Sequence, residues 1–133
     1  SAVQVDLDER QVNSAWLIVY DNENHTEQKQ QLITAMMAAI DVDISVTAVI
    51  RPEQFKTLKS QSLENKLLLV FGKRFRTAFL PKQKASNEMT AEVHCLNDSG
   101  LNMVFIDDLS DLIQQPEKKQ LAWQILKCAK TTI

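Results

Sequence analysis

Three aspartates directly follow apolar segments that the sequence predicts to be buried strands. Asp21 follows the first long apolar run, and Asp107 and Asp108 follow the last strand-like run. Open α/β sheets bind ligands at the carboxyl ends of their strands, so these carboxylates could hold a metal ion or accept a phosphoryl group. A receiver-type phosphoacceptor would follow the central strand, where Phe71-Gly72 stands instead. The sequence therefore favours the structural alternative, in which the aspartates cap helices or lie in solvated loops.

The histidines and cysteines are too few and too dispersed for the usual catalytic or metal-binding patterns. His25 and His94 are the only histidines, and Cys95 and Cys128 are the only cysteines. Because Cys95 directly follows His94, the two side chains would point to opposite faces of a strand and could not form a dyad. The two cysteines match none of the short metal or redox spacings. The sequence thus predicts no catalytic residue, no metal site and no cofactor.

One concentrated basic stretch follows the predicted central strand. Its members are Lys73, Arg74, Arg76, Lys82 and Lys84, with Phe75 and Phe79 interleaved. Three interpretations stay open: a solvated helix face whose phenylalanines lie in the core, a surface that meets an acidic protein, or a groove for single-stranded nucleic acid. The formal net charge of the chain is −2, whereas a dedicated nucleic-acid binder is usually strongly basic. Direct nucleic-acid binding is therefore the least favoured of the three.

An alternation of strands and helices would position these side chains. Continuous apolar runs predict strands buried on both faces, and apolar residues at helical spacing predict the segments between them. Predicted strands cover 3–7, 15–20, 44–50, 67–71, 91–96 and 101–106, and predicted helices cover 27–40, 73–80 and 109–115, with two more beginning at Pro52 and Pro116. Asn24 is the predicted cap of the helix at 27–40, residues 8–13 form a predicted turn, and residues 82–90 form a predicted loose segment. This order predicts a three-layer α/β/α fold with a mainly parallel central sheet of four to five strands, in which 91–96 lies near an edge.

Two groups of large apolar side chains could serve either the core or a partner. The helix at 27–40 is apolar over a wide arc that includes Met36 and Met37, and methionine-rich faces adapt to partners. Trp16 and Trp123 belong to a residue type that is enriched in binding hot spots. For all four side chains, packing in the core is the favoured prediction.

The composition fits one globular domain over residues 1–133. Apolar residues make up 44% of the chain and charged residues 24%, and two glycines and three prolines are too few for the tight turns of an all-β sandwich. No apolar run approaches the roughly 20 residues that span a bilayer, and the polar N-terminus has no signal-peptide pattern. We expect a cytoplasmic protein that does not enter a membrane, and the sequence leaves open a tail before Ser1.

Three segments carry a resemblance to a known fold. They are AWLIVYDNENHTEQKQQLITAMMAAI at 15–40, KLLLVFGKRFRTAF at 66–79 and LNMVFIDDLSDLIQQPEKKQLAWQILK at 101–127. The last is similar to the closing segment of the uracil-DNA glycosylase superfamily, in which a His-Pro pair works in the active site. Here Asp107-Asp108 occupies the matching place, and the superfamily's glycine-rich loop would fall at 21–26, which contains no glycine. The resemblance therefore implies a uracil-DNA-glycosylase-like fold without its two catalytic segments.

Over residues 3–127 the chain resembles a non-catalytic relative of that fold, the psi subunit family of bacterial DNA polymerase III. The shared features are the length, the order of strands and helices, an opening hairpin VQVDLDERQVNSAWLIV and a terminal helix with Trp123. The resemblance implies a bridge in DNA replication: psi binds the chi subunit, chi contacts single-stranded-DNA-binding protein, and a psi tail with a tryptophan-containing motif binds the clamp loader. That tail has no counterpart before Val3.

We therefore expect a psi-like accessory subunit that has no catalytic activity of its own. Its partners would be the chi subunit and clamp-loader subunits, bound through an exposed apolar patch with a charged rim. The residues predicted to form part of this partner-binding surface are Lys73, Arg74, Phe75, Arg76 and Phe79. Two alternatives stay open: a divergent or inactive glycosylase-like nucleic-acid-binding enzyme that uses Asp107 or Asp108, and a receiver-like signalling domain that uses Asp21.

Overall fold

Five strands form one sheet in the computed structural model, which describes residues 5–60, 63, 65–80, 94–96 and 101–131. The strands are β1 (Trp16–Val19), β2 (Thr47–Val49), β3 (Leu67–Phe71), β4 (His94–Leu96) and β5 (Leu101–Ile106). Their order across the sheet is β2-β1-β3-β5-β4, and the first four of these are mutually parallel. Only β4 runs antiparallel, at the edge beside β5. The predicted mainly parallel sheet and the edge position of the 91–96 segment, of which 94–96 are described, are therefore confirmed.

Six described α-helices accompany the sheet. They are α1 (Glu9–Asn13), α2 (Thr26–Ala39), α3 (Phe55–Ser60), α4 (Lys73–Phe79), α5 (Leu109–Gln114) and α6 (Lys119–Lys130). Short 3₁₀ turns at Pro52–Gln54 and Pro116–Lys118 lead into α3 and α6, because proline suits the first turn of a helix. None of the described helices is long and apolar enough to cross a bilayer.

The two faces of the sheet bury two separate apolar clusters, which makes the fold three-layered. On one face, alternate strand residues such as Ile18 and Leu69 pack against α2, α5 and α6. On the other face, neighbours such as Leu17 and Leu68 pack against α3 and α4. Every residue of β1 and β3 is buried, because a parallel strand between two helical layers has no solvent face. The three-layer α/β/α prediction is confirmed.

The N-terminal hairpin is the largest error of the sequence-based prediction. Residues 5–8 are not a strand, and the predicted turn at 8–13 is mostly the helix α1. Asp8 and Gln11 form a capping box: the Asp8 carboxylate accepts from the Gln11 N–H and the Gln11 amide accepts from the Asp8 N–H, each at 2.8 Å. This exchange satisfies the first N–H groups of a helix and fixes its start. Residues 1–4 lie outside the described part of the chain.

Two element boundaries also differ from the prediction. Helix α2 begins at Thr26, and its cap is His25 in the left-handed region (φ 54°), not Asn24. The predicted strand at 44–50 contains strand pairing only at 47–49, since the Asp43 carboxylate accepts from the Ser45 N–H at 2.8 Å and holds Ile44–Val46 in a 3₁₀ turn. Local side-chain bonds of this kind compete with strand pairing. The predicted segment at 82–90 lies outside the described residues.

Helix α1 covers the outer edge of β2. The Arg10 Nε donates to the Thr47 carbonyl at 3.2 Å, and the Gln11 Nε2 donates to the Val49 carbonyl at 2.8 Å. Unpaired carbonyls on an edge strand would otherwise be free to pair with another chain. The segment that was predicted to be a turn therefore closes an edge of the sheet.

Candidate functional site

The carboxyl end of the sheet brings together the loops after β1, β3 and β5, as the sequence predicts. The chain leaves β1 toward β2 on one side and leaves β3 toward β5 on the other, so the crevice between β1 and β3 is the topological switch point. Ligands of open α/β sheets bind at this place. Asp21 borders it from β1, and Gly72 with Arg74 borders it from β3.

Asp21 uses its polar atoms to hold this edge together. One carboxylate oxygen accepts from the Glu23 N–H at 3.0 Å, and the other lies 3.2 Å from the Arg74 Nη1. Its backbone carbonyl accepts from the Nζ of Lys29 at 2.7 Å. Lys29 is a buried ammonium on α2, so its charge needs a polar partner at the end of β1. The switch point is therefore bridged by an ion pair between the β1 and β3 loops.

Asp108 caps the helix that follows β5. Its Oδ1 accepts from the Ser110 N–H at 2.8 Å, which satisfies one of the unpaired N–H groups at the start of α5. Its Oδ2 lies 3.0 Å from the position that a Cβ would take on Gly72, where φ is +106°. The predicted capping role of a strand-end aspartate is confirmed for Asp108, and the close approach explains why the residue after β3 is glycine.

The charge of Asp107 acts on a buried arginine of the neighbouring helix. Arg76 on α4 is 4% exposed, and its guanidinium carbon lies 5.7 Å from the centre of the Phe105 ring. Burial lowers the pKa of the Arg76 guanidinium, and the charge of the Asp107 carboxylate partly offsets this effect. Within the described residues, no three His, Cys, Asp or Glu side chains are grouped as a metal site would require. His94 and Cys95 belong to β4, but their side chains lie outside the described part.

The basic stretch divides between the core and the surface. Phe75 and Phe79 are buried in the cluster under α3 and α4, and both rings lie against Phe55 with centroid distances of 5.9 and 4.9 Å. Arg76 is also buried. Of the five residues predicted to bind a partner, Lys73 and Arg74 are therefore the exposed ones. The two phenylalanines therefore lie in the core, as the first of the three interpretations predicts. They do not form the exposed apolar patch that was expected at this stretch. Lys82 and Lys84 lie outside the described residues.

An open apolar groove lies on the opposite layer, between α2 and α6. Its volume is about 360 Å³. Its lining comprises Leu32, Ala35, Met36 and Ala39 from α2, and Lys119, Gln120, Ala122 and Trp123 from α6. Met37 and Trp16 are buried as predicted, whereas Met36 and Trp123 are only partly buried and pack against the edge of the core. The prediction that all four pack in the core is therefore confirmed for Trp16 and Met37 and holds only in part for Met36 and Trp123.

Comparisons with known proteins identify no family for this chain: no protein-family model matches it, and no curated protein is significantly similar to it. The structure itself defines an α/β/α protein with a bridged switch point on one edge and an exposed apolar groove between two helices of one layer.

Proposed function

We propose that this protein is a psi-like, non-catalytic accessory subunit of a bacterial DNA polymerase III holoenzyme, which links the clamp loader to the chi subunit in the cytoplasm. The observation that carries the proposal is the position of Trp123. This residue belongs to the terminal segment on which the resemblance depends, and it lies partly exposed beside Met36 in the groove between α2 and α6. Aromatic and methionine side chains in such a position suit contact with another protein.

The carboxylates at the strand ends add support, because their contacts are those of structural groups. Asp21 pairs with Arg74, and Asp108 caps α5. A carboxylate that serves in proton transfer or phosphoryl transfer needs a free approach for the reacting group. We therefore assign these aspartates to the architecture of the loops.

A bridging subunit needs two contact surfaces that do not overlap. The α2–α6 groove lies on one layer of the fold, whereas Lys73 and Arg74 begin α4 on the other layer. Exposed basic residues of this kind steer an encounter and set its register, while an apolar groove supplies burial. The two features together suit a scaffold that contacts two proteins, and the proposal requires no direct contact with DNA.

The test is reconstitution with the chi subunit of the same organism. The purified proteins are mixed, and complex formation is followed by size-exclusion chromatography with light scattering and by calorimetry. The proposal expects a stoichiometric complex that survives chromatography. Failure of the full-length protein to bind either chi or any clamp-loader subunit would contradict it.

A second assay addresses the enzymatic alternative. Release of uracil or damaged bases from DNA is measured with the wild-type protein and with Asp107→Asn and Asp108→Asn. The proposal expects no release above the rate without protein. A turnover that either substitution abolishes would replace the scaffold function by catalysis.

A further inference from the structure

We propose that the groove between α2 and α6 binds a protein segment whose apolar side chains are flanked by carboxylates. The inference rests on the proposed function in one respect: it takes the protein to act by docking. It adds the place of docking and the chemistry of the partner.

The shape and the lining of the groove suit apolar side chains. Leu32 and Met36 lie one helical turn apart on α2, and the small side chains of Ala35 and Ala39 leave room between them and Trp123. The volume of about 360 Å³ is at the lower end of the roughly 300–1,000 Å³ of small-molecule sites. Among the described lining residues, Lys119 and Gln120 are the ones with polar side chains, and the other six are apolar. The groove therefore fits one or two large side chains of an amphipathic segment, in the manner of helix-in-groove recognition.

The charges around the groove favour an acidic partner. Lys119 lines the groove, and the Nζ of Lys127 lies 5.4 Å from the centre of the Trp123 ring. Helix α6 contains three lysines and no acidic residue, and the only acidic residue of α2 is Glu27 in its first turn. Carboxylates on either side of the inserted side chains would meet this positive rim, whereas lysines or arginines would be repelled by it.

The experiment selects ligands without prior assumption about their charge. An unbiased phage-displayed peptide library is enriched on the immobilised full-length protein, and the enriched peptides are synthesised and titrated by calorimetry. We expect acidic peptides with paired large apolar residues, and we expect their affinity to fall as the salt concentration rises.

Three substitutions on α2 locate the binding site. Ala35 is exposed and lines the groove, whereas Ala38 is exposed on the same helix and does not line it. Ala35→Lys fills the groove, Ala35→Glu fills it and also repels carboxylates, and Ala38→Glu is the matched control. We expect Ala35→Glu to weaken binding about tenfold or more, Ala35→Lys to weaken it less, and Ala38→Glu to leave it within about twofold.

A charge reversal on α6 tests the contribution of the lysines without changing α2. Lys119→Glu and Lys127→Glu are each expected to weaken the acidic peptides several-fold, while Lys56→Glu, on the opposite layer, leaves them unchanged. Circular dichroism and thermal unfolding verify that each variant is folded.

Three results would overturn the inference: enrichment of basic or uncharged peptides, enrichment of no peptide, or binding that Ala35→Glu does not affect. Self-association that Ala35→Glu abolishes would also overturn it, because a second copy of the chain would then occupy the groove. The chi titration separates the two proposals. Acidic peptides in the groove without chi binding would support the inference alone, and chi binding without acidic peptides would support the psi-like function alone.

Discussion

The side-chain amides of Gln11 and Gln54 form a reciprocal hydrogen-bonded pair across 43 positions of sequence, with both N···O distances at 2.8 Å. Each amide also bonds to backbone. Gln11 accepts from the Asp8 N–H and donates to the Val49 carbonyl, and Gln54 accepts from the Arg51 N–H and donates to the Asp6 carbonyl. The pair is buried, with exposures of 2% and 0%, and every donor and acceptor of both amides is used. It ties the N-terminal segment to the edge strand and to the start of α3.

The first prediction concerns this pair. Gln11→Ala and Gln54→Ala should each lower the free energy of unfolding by about 2–4 kcal/mol, because each leaves the other amide and backbone groups buried without a partner. The double variant should lose less than the sum of the two. Urea denaturation measures these values, and Gln124→Ala on the exposed side of α6 is the control, with an expected change below about 0.5 kcal/mol. Strictly additive losses would show that the amides do not act as a pair.

The second prediction concerns the buried lysine at the switch point. Lys29→Met keeps an apolar stem but removes the bond to the Asp21 carbonyl, whereas Lys29→Ala removes both. We expect a loss of about 1–2 kcal/mol for Met and a larger loss, about 2–4 kcal/mol, for Ala. Thermal and urea unfolding compare the two. Equal stability of Lys29→Met and wild type would mean that the bond to the carbonyl contributes nothing.

The third prediction concerns the ion pair across the switch point. The Arg74 and Asp21 side chains are 60% and 24% exposed, so solvent screens their attraction. A double-mutant cycle with Asp21→Asn and Arg74→Gln should therefore give a coupling energy of only about 0.2–1 kcal/mol, which decreases in high salt. A coupling energy of several kcal/mol would indicate that this edge is more enclosed than the structure describes.

The fourth prediction concerns the glycine between β3 and α4. Gly72→Ala should destabilise the fold by about 1–3 kcal/mol, since φ is +106° and the new methyl group would lie 3.0 Å from the Asp108 Oδ2. Asp108→Ala removes the carboxylate that the new methyl group would meet. It also removes the cap of α5, and the loss of the cap alone lowers the free energy of unfolding by about 1 kcal/mol. In the Asp108→Ala variant, Gly72→Ala should lower the free energy of unfolding by less than it does in wild type. It should still destabilise the fold, because the backbone strain persists. A neutral Gly72→Ala measured by urea denaturation would contradict this account.

The fifth prediction concerns pH. The bond from the Ser45 N–H lowers the pKa of the Asp43 carboxyl below its ordinary value of 3.8. A carboxyl whose folded-state pKa is lowered stabilises the fold above its unfolded-state pKa, and this contribution is lost as the pH falls through the folded-state pKa. Carboxyl titration by NMR should place the Asp43 midpoint below 3.8.

Two substitutions of Asp43 serve as controls for the fifth prediction. Asn keeps an oxygen that accepts from the Ser45 N–H, so Asp43→Asn should retain most of the stability at neutral pH and lose the acid-dependent part. Ala removes the cap at every pH. An Asp43 midpoint at or above 3.8 would show that the Ser45 bond is not maintained in solution.

For the aspartates at the strand ends, the local sequence pattern predicts their positions but not their partners. The positions of Asp21, Asp107 and Asp108 could be predicted because an apolar run identifies a buried strand, and the polar residue that follows must lie at its end. The bonds that these acids make could not be predicted in the same way. The partner of Asp21 is Arg74, 53 positions away, and no periodicity links the two.

The N-terminal segment carries a local helix signal that the predicted turn at 8–13 does not reflect. Asp8 and Gln11 have the spacing of a capping box, which predicts a helix start. The alternation of Val3, Val5 and Leu7 predicts a strand at 3–7, and residues 8–13 were predicted to be the turn that follows it. The helix is held both by this local exchange and by the bond between Gln11 and the buried Gln54, a contact that is distant in sequence.

The sequence alone determined the layers of this protein, since the alternation of fully apolar strands with amphipathic helices has few other solutions than a sheet covered on both faces. Tertiary structure decided which apolar side chains stay accessible. Phe75 and Phe79 and also Met36 and Trp123 are large and apolar in sequence, yet the first two are buried against Phe55 and the last two border an open groove. The physical reason is that burial depends on how closely two helices approach each other over the sheet, and this spacing is set by contacts between residues far apart in the chain.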